Sequence, residues 1–296
     1  MNELGCSTLC FARMPRQEAL RTISDMGFTW VDLGMLRAFT VGENFFKALH
    51  LDALETTDDD VKRLREELDA AGLKVAALNV GGGYFNLPWE RETGIAYARR
   101  SIDICKALGG YAITVQSGKL LRGTDWVQNV QYVAPVIRDL ASTAADAGVE
   151  FHLESPHLEM LTHDVKTALD FFEILDHPAL YLTLDPSHLI VADDDPVEAV
   201  HKLGPLIRHV HIRDGAGTNP VVVPGQGEIN FVAFVRALRE VGYTRPLIIE
   251  LCQDESEDYE VSNKHYMADT ERSTAFMRRI LELASDSSPS LKAAGQ

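Results

Sequence analysis

The sequence lacks the features of a membrane or exported protein. No uninterrupted apolar run approaches the ~18 residues that a helix needs to cross a bilayer. Residues Met1–Gly5 contain no basic segment followed by an apolar core, so we predict no signal peptide. The cysteines are scattered and form no CxxC pair, which indicates reduced thiols in a cytoplasmic protein. They are Cys6, Cys10, Cys105 and Cys252.

Positive charge is also scarce. Lys and Arg number 28 against 44 Asp and Glu, a formal net charge of −16 at pH 7. Such a chain repels a phosphate backbone, so we predict no nucleic-acid partner. A dinucleotide-binding fingerprint is missing as well, because Gly81–Gly83 lacks the GxGxxG pattern after a first strand.

The chain does contain a repeated pattern of helix, glycine and apolar run. Of its 296 residues, 46% are hydrophobic, which is enough for a sizeable core. Amphipathic helical segments end in glycine, which caps a helix in the left-handed conformation without a Cβ clash. These glycines are Gly27, Gly72, Gly109, Gly148 and Gly242. The runs that follow, such as Lys74–Val80, are continuously apolar, as in parallel strands buried on both faces.

Eight strand–helix units can be counted. The predicted strands are 4–8, 28–33, 74–80, 111–117, 150–155, 181–185, 208–213 and 246–251. The predicted helices are 15–26, 57–71, 91–108, 125–147, 164–176, 196–203, 231–241 and 258–284. Eight repeats favour an α/β fold, a single (β/α)8 barrel, over a doubly wound sheet, in which a glycine fingerprint would follow the first strand.

The predicted barrel domain covers residues 1–284. Residues 285–296 are predicted to be a flexible C-terminal tail. Residues 34–56 form a long second βα loop, and its apolar Phe45, Phe46 and Leu49 make it a candidate cover for the barrel mouth.

Four successive strands end by presenting an ionisable side chain. These side chains are Glu154, Asp185, His211 and Glu250. In (β/α)8 barrels the C-terminal ends of the strands carry the chemistry. Three buried carboxylates that meet at one point need compensation, and a divalent cation compensates them best. We therefore predict one divalent-cation site.

Five motifs resemble those of a known family. They are Glu-Ser-Pro-His (154–157), Asp-Pro-Ser-His (185–188), His-Ile-Arg-Asp (211–214), Pro-Gly-Gln-Gly-Glu-Ile (224–229) and Ile-Ile-Glu-Leu (248–251). Together they resemble the sugar phosphate isomerase/epimerase family of xylose isomerase-like TIM barrels. The resemblance covers nearly the whole chain, to about residue 284. The resemblance implies a Mn²⁺-like ion held by the four side chains above, with His188 and Arg213 facing a substrate.

The chain departs from the ketose 3-epimerases of that family at two positions. It has Met160, with Glu159 beside it, where those enzymes have a substrate-binding Glu. It has Gly217 where they have an Arg, and Arg213 is the candidate substitute. The spacing of His-x-x-Asp and Pro-Gly-x-Gly resembles the inosose dehydratase branch about as well.

Four further side chains are candidates for substrate binding. His157 ends the first motif, and Glu159 is the acidic residue beside Met160. Trp89, in the third βα loop, could stack on a sugar ring. Gln226 lies in the seventh loop, where barrels often bind phosphate, so Pro224–Gly227 is a candidate for gripping a substrate phosphate or hydroxyl. His209 is interpreted as a packed core histidine.

The leading hypothesis is a metal-dependent isomerase or epimerase of a ketose or keto-sugar. Glu154 and Glu250 would transfer a proton next to the carbonyl through an enediolate, which the cation stabilises as a Lewis acid. The alternatives are a dehydratase (lyase) that uses the same site and a non-catalytic sugar-binding barrel. Mn²⁺ is expected, and Mg²⁺, Co²⁺ and Zn²⁺ also suit these ligands. The expected partner is a small sugar; phosphorylation and homo-oligomer formation are left open.

Overall fold

The computed structural model describes residues 2–37, 39–41, 44–46, 49–251 and 258–285, with backbone only at 39–41, 44–46 and 49. The strands are β1 (Leu4–Ser7), β2 (Trp30–Leu36), β3 (Phe39–Val41), β4 (Asn44–Phe46), β5 (Leu49–His50), β6 (Lys74–Gly81), β7 (Ala112–Gln116), β8 (Glu150–Glu154), β9 (Leu180–Leu184), β10 (Ile207–Ile212), β11 (Asp214–Ala216), β12 (Asn219–Val222) and β13 (Leu247–Ile249). The α-helices are α1 (Arg16–Asp25), α2 (Asp58–Ala71), α3 (Arg91–Leu108), α4 (Trp126–Ala147), α5 (Val165–Leu175), α6 (Pro186–Val191), α7 (Pro196–Leu203), α8 (Phe231–Glu240) and α9 (Tyr259–Ser285).

Eight parallel strands close into a barrel. Their order around the barrel is β1-β13-β10-β9-β8-β7-β6-β2, and β1 pairs with both β13 and β2. The predicted (β/α)8 barrel is confirmed, with predicted strands and helices in their places. β5 adds an antiparallel strand beside β2, and two short hairpins, β3–β4 and β11–β12, lie outside the barrel.

Local sequence signals explain where the helices begin and end. Thr57 opens α2 with a capping box, and Asp195 caps α7 with Pro196 in its first turn. Each of the five predicted glycines has a positive φ at or just after a helix end. Three of them, Gly72, Gly109 and Gly148, are the C-cap residues themselves.

The predicted second βα loop starts later in the structure, and the predicted C-terminal tail lies almost wholly outside the described residues. β2 continues to Leu36, so the loop predicted at 34–56 starts later and contains β3, β4 and β5. The side chains of Phe45, Phe46 and Leu49, the predicted cover of the mouth, lie outside the described residues. So does the predicted tail, apart from Ser285, which ends α9. The domain boundary at residue 284 stays a prediction.

The apolar core lies between the strands and the helices, while the barrel interior is polar. Leu64, Ile137 and Phe171 are fully buried on the inner faces of their helices. Inside the barrel, His152 contacts Thr183, which contacts Thr114. In the described part of the chain, no helix is both long and apolar enough to span a membrane.

The start of the β6–α3 loop packs directly on Tyr97 of α3. A Cβ at Gly82 would overlap the Cβ and Cγ atoms of buried Tyr97. We expect Gly82→Ala to lower the free energy of unfolding by about 1–3 kcal/mol, because the ring must move in a close-packed core. Thermal unfolding measures the change.

Gly81→Ala is the matched control for this prediction. Its Cβ would lie 2.6 Å from Cδ2 of Leu36, the far end of a flexible side chain. We therefore expect a smaller loss at Gly81. Equal losses in the two variants would contradict the prediction, because the overlap with Tyr97 would then cost no more than the overlap with Leu36.

Candidate metal centre

The four predicted ion ligands lie together at the C-terminal end of the barrel. Glu154 ends β8, Asp185 follows β9 as the N-cap of α6, His211 lies in β10 and Glu250 follows β13. All four are at most 3% exposed. One ligand atom from each lies within 4.8 Å of the others. Neighbouring strands of a closed barrel therefore deliver these side chains to one point.

The two glutamates meet at one nitrogen of His211. Nδ1 of His211 lies 3.4 Å from Oε1 of Glu154 and 3.3 Å from Oε2 of Glu250. The second oxygen of each glutamate accepts a hydrogen bond from a side-chain amide. Gln116 donates to Glu154 at 2.7 Å, and Asn79 donates to Glu250 at 2.8 Å. Each carboxylate thus has one oxygen at the centre and one fixed by a neutral donor.

Asp185 is bound differently. Its Oδ2 lies 2.5 Å from a guanidinium nitrogen of Arg213, and its Oδ1 accepts the backbone N–H of Ser187 at 2.9 Å. The same Arg213 nitrogen lies 3.0 Å from Nε2 of His188. His188 stacks on His157, with ring centroids 4.0 Å apart. Arg213 therefore links the ion ligand Asp185 to the predicted substrate residue His188.

Burial and close charges shift the acidities. Burial raises the pKa of Asp185, and with the charges of Glu154 and Glu250 it outweighs Arg213 and keeps that pKa above its usual value. Burial lowers the pKa of His211, but Glu250, Asp32 and Glu154 raise it well above the ordinary range. The cluster therefore attracts positive charge at its centre.

The arrangement fits a divalent cation. Ligand atoms on opposite sides of an ion are about 4–5 Å apart when each bond is about 2.0–2.6 Å, which agrees with the separations here. Three carboxylate oxygens and an imidazole nitrogen suit Mn²⁺, Mg²⁺, Co²⁺ or Zn²⁺. A divalent charge would also relieve the repulsion that raises the pKa of Asp185.

Two further groups of side chains are close enough to hold an ion. One consists of Asp32, His209 and His211, and the other of Glu154, His157 and His188. Both groups share a residue with the centre described above. The described residues thus contain a connected set of potential metal ligands around Glu154 and His211.

A cavity of about 580 Å³ adjoins the centre. Its wall includes the two amides that hold the glutamates, Asn79 and Gln116. Gly81–Gly83 line it as backbone, and His157 lies at its edge. This volume is within the range of small-molecule sites, and the amides of Asn79 and Gln116 lie between the cavity and the two glutamates.

The predicted substrate residues are not all near this cavity. Nε2 of His157 lies 3.7 Å from Oε2 of Glu154. Glu159 has a side chain 67% exposed and pairs with Lys119 at 2.6 Å. Trp89 is 76% exposed and does not line the cavity, and Gln226 is exposed in its loop. The structure brings His157, His188 and Arg213 to the centre and leaves the other three at the surface.

Asp214 holds the seventh loop closed. Its carboxylate accepts backbone N–H groups of Gly225 at 2.9 Å, Gly227 at 3.0 Å and Ile229 at 3.2 Å. Pro224–Gly227 is predicted to grip a substrate phosphate or hydroxyl, and both of its glycine N–H groups donate to Asp214. The motifs 211–214 and 224–229 are therefore one structural unit.

Sequence reasoning missed the groups that support the ligands. Asn79 and Gln116 sit late in apolar strands, as the ligands do, and that position could have flagged them. Asp32 is a charge inside the apolar run of β2 and is fully buried. His209, interpreted as a packed core residue, is fully buried. Its Nε2 lies 2.6 Å from Oδ2 of Asp32, so it also has a polar partner.

The family model described as Xylose isomerase-like TIM barrel matches residues 20–284, most of the chain. The chain belongs to the xylose isomerase-like TIM barrel family. The family resemblance read from the five motifs is confirmed.

The relatives with stated activities are distant. An inosose dehydratase of Clostridium botulinum (strain Alaska E43 / Type E3) is 24% identical over 246 residues, 70% of this chain and 80% of that protein. A D-psicose 3-epimerase of Ruminiclostridium cellulolyticum is 29% identical over 128 residues, 43% of this chain and 41% of that protein. The solved structure of an L-ribulose 3-epimerase superposes with a TM-score of 0.77 and 23% identity, covering 96% of both chains. That likeness supports the fold.

We expect divalent cations to stabilise this protein. At an ion concentration of 100 times Kd, binding to the folded state adds about 2.7 kcal/mol to the free energy of unfolding. Thermal unfolding in Mn²⁺ should therefore occur at a higher temperature than in a chelator. Asp185→Asn should reduce this Mn²⁺-dependent shift, because a charged ligand is lost. An unchanged shift would mean that Mn²⁺ binds elsewhere.

The loop held by Asp214 gives a separate prediction. Asp214→Ala leaves the buried N–H group of Ile229 and the partly buried ones of Gly225 and Gly227 without their acceptor. An unsatisfied buried N–H costs about 1–3 kcal/mol, and the cost is smaller where water replaces the carboxylate. Asp214→Asn keeps one acceptor oxygen, so we expect a smaller loss. Hydrogen exchange of the amides of Gly225 and Gly227 measures both. Unchanged protection in Asp214→Ala would contradict this role.

Proposed function

We propose that the chain is an enzyme, a divalent-metal-dependent isomerase or epimerase of a ketose or keto-sugar. One observation carries the proposal. Glu154 and Glu250, from strands on different sides of the centre, both reach Nδ1 of His211 and both adjoin the cavity through an amide partner. Two carboxylates that face one substrate position from two sides suit removal and return of a carbon-bound proton.

The protein groups have distinct roles in this proposal. One glutamate takes the proton next to the carbonyl, and the other returns it on the opposite face. Gln116 and Asn79 hold the second oxygen of each carboxylate on the cavity side, so that one oxygen would bind the ion and the other would take or return the proton. Burial of both glutamates excludes water that would compete for the proton.

Glu154, Asp185, His211 and Glu250 would hold the ion. When bound, it supplies Lewis-acid stabilisation of the negative charge that develops on substrate oxygens. Mn²⁺ is our choice, with Mg²⁺, Co²⁺ or Zn²⁺ as alternatives that the ligand set also accepts. The identity of this ion is part of the proposal.

His188, Arg213 and His157 are the proposed substrate-binding residues beside the ion. In the described part of the chain, buried Nδ1 of His188 has no hydrogen-bond partner, which makes it available to a substrate oxygen. Glu159, Trp89 and Gln226 stay in the proposal only for the outer part of a substrate. We further propose a cytoplasmic protein whose partner is a small sugar rather than nucleic acid. Homo-oligomer formation stays open.

A dehydratase is the second candidate. The alignment with an inosose dehydratase covers 70% of this chain, against 43% for the D-psicose 3-epimerase. Such a lyase begins with the same proton transfer and then expels a hydroxyl as water. His188 or Arg213, which contact each other beside Asp185, would assist that departure.

Solvent exchange tests the proton transfer. In D₂O with Mn²⁺, we expect deuterium to enter a ketose or an inosose, tested with L-ribulose, D-psicose and an inosose. Glu154→Gln and Glu250→Gln should each slow exchange by at least about 10²-fold, since each removes a general base or acid. Mass spectrometry of recovered substrate measures the incorporation.

Glu198→Gln is the control, because Glu198 is an exposed carboxylate on α7 with a side chain 69% exposed. The Glu198→Gln variant should catalyse deuterium exchange into the substrate at the rate of the parent protein. Exchange retained in both glutamate variants would refute the assignment. A stereoisomer without new ultraviolet absorbance indicates epimerisation, whereas an enone-type product with new absorbance indicates dehydration.

A further inference from the structure

Asp32 is a buried carboxylate that the proposed reaction does not use. It lies in β2, which does not pair with the strand of His211. Oδ2 of Asp32 is 3.2 Å from Nε2 of His211 and 2.6 Å from Nε2 of His209. Oδ1 accepts the backbone N–H of Ala77 at 3.1 Å. All three side chains are 0% exposed, so Asp32 connects two histidines within the barrel.

This contact decides which nitrogen His211 offers to the centre. Oδ2 of Asp32 lies at hydrogen-bond distance from two imidazole nitrogens and Oδ1 accepts a backbone N–H, so the Asp32 carboxylate serves as an acceptor on both oxygens. Nε2 of His211 must then donate its hydrogen to Asp32. Nδ1, which faces Glu154 and Glu250, is left as the nitrogen for the ion.

The distances favour hydrogen bonding over a second ion within this group. Two ligands of a tetrahedral ion with bonds of about 2.0–2.1 Å lie roughly 3.3 Å apart. Oδ2 of Asp32 and Nε2 of His209 are only 2.6 Å apart, which is a short hydrogen bond. An ion between them would push the two atoms apart in a fully buried site.

The other ring nitrogen of His209 also has a hydrogen-bond partner. The hydroxyl of Tyr111 lies 2.7 Å from Nδ1 of His209. Because Nε2 of His209 donates to Asp32, Nδ1 accepts the hydroxyl hydrogen of Tyr111. The series Tyr111, His209, Asp32 and His211 therefore runs through the barrel interior and ends at the centre.

We propose that Asp32 is a positioning residue for the ion site, holding His211 with Nδ1 towards the ion, and that His209 holds Asp32 in place. The proposal rests on the ion site of the proposed function but not on its reaction. A carboxylate behind a metal-ligating histidine fixes its tautomer and ring orientation, and losing it costs typically 10–100-fold in metal affinity.

Mn²⁺ affinity tests this role, measured by competition with a chelator on the purified full chain after metal removal. We expect Asp32→Asn to weaken Mn²⁺ binding by about 10–100-fold. His209→Asn should also weaken it, because the shorter amide cannot reach Asp32. His209→Gln should restore affinity, since its amide reaches about as far as Nε2 of histidine.

His152→Gln is the matched control. His152 is another fully buried histidine of the barrel interior, with its ring centroid 6.3 Å from that of His209, but it bonds Glu150 and Thr183 instead. We expect near-parent affinity for Mn²⁺ even if stability falls. The proposal is overturned if Asp32→Asn binds Mn²⁺ like the parent, or if His152→Gln weakens binding as much.

The His209 pair decides the question if Asp32→Asn does not fold. Equal affinities in His209→Asn and His209→Gln would overturn the proposal, and a restored affinity in His209→Gln supports it. If the parent protein binds Mn²⁺ but catalyses no exchange of a substrate proton, the proposed reaction is refuted and the positioning role of Asp32 is not affected. A parent that binds no divalent ion overturns both.

Discussion

Three carboxylates buried at one point are the constraint on which the rest of this structure depends. Glu154, Asp185 and Glu250 are each at most 3% exposed. Removing such groups from water is costly unless opposite charge or hydrogen bonds compensate them. The chain supplies His211 between the glutamates, Arg213 on Asp185 and two amides. The two amides also line the adjoining cavity, so the compensated centre and the cavity share Asn79 and Gln116.

The barrel makes this concentration of charge tolerable because its apolar core lies elsewhere. Helices pack on the outer faces of the strands, so the interior is free to hold polar side chains that bond one another. The interior bonds between Thr114, Thr183 and His152 are of this kind. Of these inward side chains, Asp32 and His209 bond towards the ligand His211, whereas Thr114, Thr183 and His152 bond one another.

Much of this was readable from the sequence, for physical reasons. Continuous apolar strands and glycine at helix ends are local signals, and they gave the eight units within a few residues. Ligands at strand ends were readable because closure brings strand ends together. Asp32 was missed since its partners are far away in sequence and a mid-strand position gives no sign of them. Trp89 shows the converse, because a loop position does not tell whether a side chain faces the cavity or, as here, solvent.

The partners of each buried carboxylate explain which ones are suited to chemistry. Asp214 accepts hydrogen bonds from several backbone N–H groups, and Asp32 accepts them from two imidazoles. The oxygens of these two carboxylates therefore stabilise the fold and are not free to take a proton. Asp185 forms an ion pair with Arg213. Glu154 and Glu250 differ, because their outer oxygens take a neutral amide and their inner oxygens meet only His211 among the described residues. A neutral donor orients a carboxylate without cancelling its charge, which leaves these two groups able to take a proton from carbon.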